Sequence, residues 1–283
     1  MSDLSNSLTS SFQSWMLQER VMELSPHGIP LSDRGFRYGQ HFFETVAVRH
    51  GTPLFVEQHI DRLLKAAKKH HFGTDTEWQQ SLSHFLTTTP FQDGVVRIFL
   101  TAGEGGLGEP VVNPRIVALW EVSSFPSIQK MNQGTKVISL TKHIGSKYWG
   151  IKNGNYWDHI CALQEARKEG AEEGLVFNED GFLISGAISN VILWLEEEGE
   201  LNLMTPSPLL GAREGVVLDW AHKQLPQMIE CDISRADLSQ VRAMVITNSR
   251  LGVMPVAMLD GVRLPHYNLG LELARKYHSL HGF

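Results

Sequence analysis

Cysteine is scarce: Cys161 and Cys231 are the only two in 283 residues. A chain of this length can bury a sizeable core without covalent staples, so a reduced, cytosolic pair is expected rather than a disulfide framework. Long apolar runs are missing too; none approaches the roughly 18 residues that a membrane span needs. The N-terminal MSDLSNSLTSSFQSW is polar and Ser-rich, without the basic-then-apolar order of a secretory signal. A cytoplasmic protein with no membrane partner is the expectation. Excess positive charge is lacking: the formal net charge is −6, which argues against a nucleic-acid or acidic-membrane partner. There are no repeats, and the one acidic run, EEEGE, reads as a solvated hairpin tip. Several catalytic signatures are also missing. Without H-E-x-x-H, paired C-x-x-C or G-x-S-x-G, metal-site and serine-hydrolase readings have no support, and no metal is expected. His70 and His71 are adjacent in KKHH (68–71), so they do not share a helical face. They suit a helix C-terminus instead.

What is present is ordinary globular material, 42% hydrophobic and 20% charged. HFFETVAVR (41–49) reads as a strand, and LFV (54–56) as a short second one. Ile60, Leu63, Leu64 and Ala67 then fall at helical spacing, and that helix should end near His71, before Gly73. A second helix is expected over 76–88, followed by strands at 95–102 and 115–122. SSFPSIQKMNQG (123–134) is polar, with a proline and a glycine, and reads as a linker. It separates an N-terminal α/β domain (1–122) from a β-rich domain (135–283). The latter should hold strands at TKVISL, GLVFN, GFLI, VILWL, LNLM and AMVITN, and two short strands around MPVAMLDGVRL. Helices are expected near 156–169, from about Ala212, and at the C-terminus.

GEGGLG (103–108) fits G-x-G-x-x-G, but a dinucleotide site needs a helix to open at the third glycine. Pro110, Asn113 and Pro114 follow, and then a strand. A hairpin loop is the better reading.

The remaining signals converge on one ligand. Arg62 sits in EQHIDRL (57–63), early in a helix. KNGNYW (152–157) places Lys152 where an irregular stretch becomes helical. SGAISNV (185–191) is a small-residue turn before a strand. LLGAREGVV (209–217) opens a helix with a glycine, whose free N–H groups favour an anion. TNSRLGVMPV (247–256) ends a strand on Asn248 and Ser249. An arginine, a helix N-terminus and a hydroxyl-bearing turn can hold a phosphate, and a lysine can hold an aldehyde. Together they point to pyridoxal 5′-phosphate, with Lys152 as its Schiff-base lysine.

From about Leu31 to Val262 the chain resembles the class IV, D-amino-acid-aminotransferase-like pyridoxal phosphate enzymes. LSDRGFRYGQHFFETV is similar to the family's D-R-G-F-x-Y-G-D-G-x-F-E-T opening, with Gln40 and His41 in place of Asp-Gly. EQHIDRL, K-N-G-N-Y, ARKEGAEEGLVFNEDGFLISGAISNVILW and TNSRLGVMPV follow in family order, the last most like the lyase branch. The resemblance implies a two-domain α/β (α+β) fold with the cofactor between the domains, and a homodimer. It implies that Arg62 binds the cofactor phosphate and that Leu209 packs on the ring, where composition alone would make Leu209 core. It extends cofactor contact to Ser185, Asn190, Ala212, Arg213, Asn248 and Ser249. Turn capping is the plain alternative for Ser189, Asn190, Asn248 and Ser249.

Two departures stand out. Ser185 replaces the glutamate that pairs with the pyridine nitrogen in the family. Gly211-Ala212-Arg213 replaces the phosphate-binding Gly-Ile-Thr; the amides of Ala212 and Arg213 remain, and the Arg213 side chain can stand in for the lost hydroxyl. The expected activity is that of a 4-amino-4-deoxychorismate lyase, in folate biosynthesis, acting on a small amino substrate. A branched-chain or D-amino acid aminotransferase is the alternative, kept open by Glu44 in FFETV. A non-catalytic descendant that binds a phosphate ligand is the third.

Overall fold

The computed structural model describes residues 12–18, 21–24, 29–73, 76–143 and 150–282. The chain divides into two compact units, residues 1–124 and 125–283.

The first unit contains β1 (Phe12–Gln18), β2 (Val21–Leu24), α1 (Arg34–Tyr38), β3 (His41–Arg49), β4 (Thr52–Pro53), α2 (Val56–Lys69), α3 (Thr76–Thr88), β5 (Gly94–Thr101) and β6 (Arg115–Glu121). Its sheet runs β2-β1-β6-β5-β3-β4. Strand β3 shows why the site chemistry begins here. Its period of two sends Phe42, Glu44, Val46 and Val48 to the buried face. Helix α2 covers that face with His59, Ile60, Leu63 and Ala67. Glu44 is therefore buried by register, and it needs cationic partners from α2.

GEGGLG lies in the hairpin loop between β5 and β6, which pair antiparallel from Thr101↔Arg115 to Val95↔Glu121. No helix opens there. Gly103 has φ +66, and a Cβ on it would fall 2.0 Å from the Asn113 carbonyl oxygen, so the close backbone approach requires glycine. Arg34, almost fully buried, ties this loop down by donating to the carbonyls of Ala102 and Glu109. LFV is not a strand. Thr52 and Pro53 pair with β3, Phe55 takes φ 55, and Val56 already belongs to α2. The chain turns at once to lay the helix on the sheet.

The second unit contains α4 (Ile128–Gln133), β7 (Thr135–His143), α5 (Trp157–Lys168), β8 (Glu173–Phe177), β9 (Leu183–Gly186), β10 (Asn190–Glu197), β11 (Glu200–Pro206), α6 (Val216–Gln224), β12 (Ile229–Cys231), β13 (Val241–Asn248), β14 (Gly252–Leu259), β15 (Val262–Arg263) and α7 (Tyr267–His281). Its sheet runs β12-β11-β10-β13-β14-β7-β8-β9, with β15 on β14. The β14–β7, β7–β8 and β11–β12 pairs are parallel. Strand β8 is covered on both faces. Leu175 and Phe177 join a core with Leu193, Met244 and Ile246, while Val176 faces Ala162 and Ala166 of α5 together with Ile184 and Ala187. The helix expected from about Ala212 begins at Val216. Gly211, at φ 101, closes a short 3-10 turn (Pro208–Leu210), and Gly215 caps α6. Part of the stretch read as a linker is helical, as α4. Cys161 and Cys231 are free.

Candidate active site

In the first unit, Arg62 and His59 both reach Glu44. Arg62 donates from Nε to Oε1 at 2.6 Å and from Nη2 to Oε2 at 2.7 Å, a two-pronged pair. His59 Nδ1 lies 2.8 Å from Oε2. Burial alone would raise the Glu44 pKa. The Arg62 charge, with hydrogen bonds from His59 and Arg62, overrules it and holds the carboxyl well below the usual range. One edge of the Arg62 guanidinium is thus committed inside its own unit.

In the second unit the turn Ser185–Asn190 is a hub. Ser185 on β9 is buried, and its hydroxyl donates to the Gly186 carbonyl at 2.7 Å. Glu173 on β8 accepts from the Ser189 hydroxyl at 2.7 Å and from the Ile188 N–H at 3.3 Å. Burial raises the Glu173 pKa, and these hydrogen bonds oppose the rise. Asn248 closes the far side: its side chain accepts from the N–H groups of Arg250 and Leu251 and donates to the Ile188 carbonyl at 3.4 Å. Asn190 donates to the Arg213 carbonyl in a very short contact. Ser249 sits in the turn after β13.

Lys152 is half-buried, four residues before Tyr156, which caps α5. Residues 144–149, the approach to this segment, lie outside the described residues. At Gly150 the backbone comes so close to Gly211 that a Cβ would sit 3.0 Å from its carbonyl oxygen. The fold thereby draws the lysine segment beside Ala212 and Arg213. His159, one turn into α5, continues the buried stripe of Ala162 and Ala166. Its ring stacks on Tyr156 with centroids 4.0 Å apart. Burial, then the Arg213 charge, push the His159 pKa down to about 3; the Ala187 carbonyl opposes this, and Lys152 adds to it. The imidazole is neutral near pH 7.

Arg213 is 6% exposed. It donates from Nη1 to the Tyr156 hydroxyl at 2.9 Å, and its Nη2 lies 3.2 Å from His159 Nδ1. Its Nε finds no acceptor among the described residues. A small cavity is lined by Ile184, Asn190, Ala212, Arg213 and Leu218. The cap of α6 makes no side-chain hydrogen bond, which leaves its first N–H groups for an anion. Leu209 is 96% exposed, so the reading of it as core is wrong; the glycine-ended turn presents it outward. A half-buried lysine, a buried guanidinium with an unsatisfied Nε and a helix without a side-chain cap fit a phosphate-bearing aldehyde.

Sequence reading placed Lys152, Ser185, Asn190, Ala212, Arg213 and Asn248 in what proves to be one region of the second unit. It passed over Tyr156, His159 and Glu173. Tyr156 stood inside a quoted motif. The spacing of His159 from Ala162 and Ala166 was the available signal for its burial. Nothing in EE (172–173) told the buried acid from its more exposed neighbour.

The profile of the amino-transferase class IV family matches residues 41–259. An aminodeoxychorismate lyase of Bacillus subtilis (strain 168) is 26% identical, covering 87% of this chain and 85% of its own. A D-alanine aminotransferase of Bacillus licheniformis is 25% identical, covering 86% and 87%. The solved structure of 4-amino-4-deoxychorismate lyase from Pseudomonas aeruginosa superposes with a TM-score of 0.81 at 25% identity, covering 95% of this chain and all of that one.

Proposed function

The chain belongs to the class IV aminotransferase family of pyridoxal-phosphate-dependent enzymes, and from that premise we propose that it is a 4-amino-4-deoxychorismate lyase, releasing pyruvate and 4-aminobenzoate. One observation carries the choice of reaction. The buried position at the end of β9 holds a neutral serine whose hydroxyl is turned to the Gly186 carbonyl. No carboxylate stands at that position to keep a pyridine nitrogen protonated. The resemblance of TNSRLGVMPV to the lyase branch supports the same reading.

Pyridoxal phosphate supplies an aldehyde that condenses with amines and a ring that accepts electrons. The chain's own residues do the rest. Lys152 Nζ would hold the aldehyde and, when free of it, would take and return the substrate proton as general base. Arg213 and the amides of Ala212 and Arg213 bind phosphate, and the family resemblance adds Arg62. Leu209 offers an apolar face to the ring, and Asn190, Asn248 and Ser249 shape the turns around it. With Ser185 in place of a carboxylate the ring would be a weaker electron sink, which would slow amino-group transfer. An elimination that ends in an aromatic product suffers less. An aminotransferase acting on a branched-chain or D-amino acid is the second reading, favoured by Glu44. The pairing of Glu44 with Arg62 and His59 gives that residue a structural role as well.

Incubation with 4-amino-4-deoxychorismate should yield pyruvate, and borohydride should fix the cofactor to Lys152. A label on another lysine, or turnover that survives Lys152→Ala, would overturn the assignment.

A further inference from the structure

Two groups converge on His159 Nδ1: the Ala187 carbonyl oxygen at 2.6 Å and Arg213 Nη2 at 3.2 Å. Only one can be a hydrogen-bond partner. A carbonyl oxygen facing a ring lone pair at 2.6 Å would be repelled, so Nδ1 carries the proton and donates to Ala187. The Arg213 nitrogen then packs against an N–H and gains no acceptor there. Among the described residues, the Tyr156 hydroxyl remains the one acceptor for a guanidinium with five N–H donors. Among the described residues no carboxylate pairs with Arg213, unlike Arg62 with Glu44 or Arg115 with Asp33. Arg34, equally buried, differs as well: three backbone carbonyls surround it. A buried cation with one neutral acceptor is costly unless an anion completes it. Lys152 adds a second positive charge near the same ring.

We propose that Arg213 is this protein's own phosphate-binding arginine, and that His159 is a positioning residue that sets its place through Tyr156. The Ala187 carbonyl fixes the imidazole, the imidazole fixes the phenol by stacking, and the phenol oxygen fixes Nη1. This rests on the reading that the Lys152 segment holds pyridoxal phosphate, and it adds a residue that no motif of the sequence marked. Because the imidazole is neutral, it supports the guanidinium without repelling it.

The test is equilibrium binding to the full chain, without turnover, using pyridoxal phosphate, pyridoxal and inorganic phosphate as probes. Arg213→Ala, with Arg213→Gln as a second variant if the first folds poorly, should weaken pyridoxal phosphate and inorganic phosphate by about ten- to a hundredfold. Pyridoxal should change little. His159→Ala should weaken pyridoxal phosphate by roughly tenfold, His159→Phe should restore most of it by keeping the stack, and neither should matter once Arg213 is gone. Equal weakening of pyridoxal and pyridoxal phosphate by Arg213→Ala, which would place the contact off the phosphate, overturns the proposal. So does unchanged phosphate affinity, or a His159→Ala effect that persists without Arg213. A protein with the expected binding pattern that releases no pyruvate would refute the lyase reading and leave this inference standing.

Discussion

Glu44 is 1% exposed, and what keeps it ionised also defines what Arg62 can do. Removing the guanidinium leaves a buried carboxylate with His59 as its remaining partner among the described residues, so Arg62→Ala should cost on the order of 3–5 kcal/mol in a urea titration. The same change should weaken cofactor affinity by about one to two decades, and Arg62→Lys should rescue only part because the fork is lost. An unchanged cofactor dissociation constant would remove Arg62 from the phosphate site and leave it a purely structural residue. The pH dependence follows in sign. The folded Glu44 pKa lies below its ordinary 4.5, so its stability contribution is present above about pH 4.5 and is lost as pH falls further. Ser185 carries the opposite lesson, a neutral group at a position where the family resemblance implies a glutamate. Ser185→Glu should raise amino-group transfer with simple amino acids. A wild-type protein that transaminates as well as its glutamate-bearing relatives would argue against the role given to this serine.

At the scale of elements, the N-terminal turn of α5 is where site and fold meet. His159 titrates at about 3 in the folded chain against an ordinary 6.5. The unfolded chain therefore binds the proton first, and stability falls as pH drops from about 6.5 towards 3. The groups bearing on the ring include Arg213, Lys152, Tyr156 and the Ala187 carbonyl. Relative to wild type, His159→Gln should gain about 2 kcal/mol of stability between pH 7 and pH 5. A constant difference between the two proteins across that range would show that His159 does not titrate as described. The elements themselves were largely legible. β3, α2, α3 and the β5–β6 hairpin follow from apolar period and turn residues, and the proline-rich sequel to GEGGLG correctly declined a helix. Less was legible where a residue's neighbours come from distant segments. Strand β12 pairs three residues on the edge of β11, with too little sequence to show a period. The register that buries Glu173 depends on β7 and β9 flanking β8. α6 is capped by Gly215 rather than opening at Ala212, and that position requires glycine: a Cβ there would lie 2.1 Å from Asn190 Oδ1.

At the scale of the whole molecule, each unit has its own sheet and core, and the functional residues read from sequence fall in both: Arg62 in the first, the others in the second. No helix among the described residues is long and apolar enough to cross a membrane. The family resemblance implies a homodimer. Light scattering should give about twice the chain mass of 31.8 kDa, and a monomer at micromolar concentration would refute it. The central claim is the reaction itself. It is tested most directly by giving one preparation 4-amino-4-deoxychorismate in one arm, and D-alanine or a branched-chain amino acid with 2-oxoglutarate in the other. The account predicts equimolar pyruvate and 4-aminobenzoate in the first arm, abolished by Lys152→Ala, with slow amino-group transfer in the second. Rapid transfer with no pyruvate from 4-amino-4-deoxychorismate would contradict it.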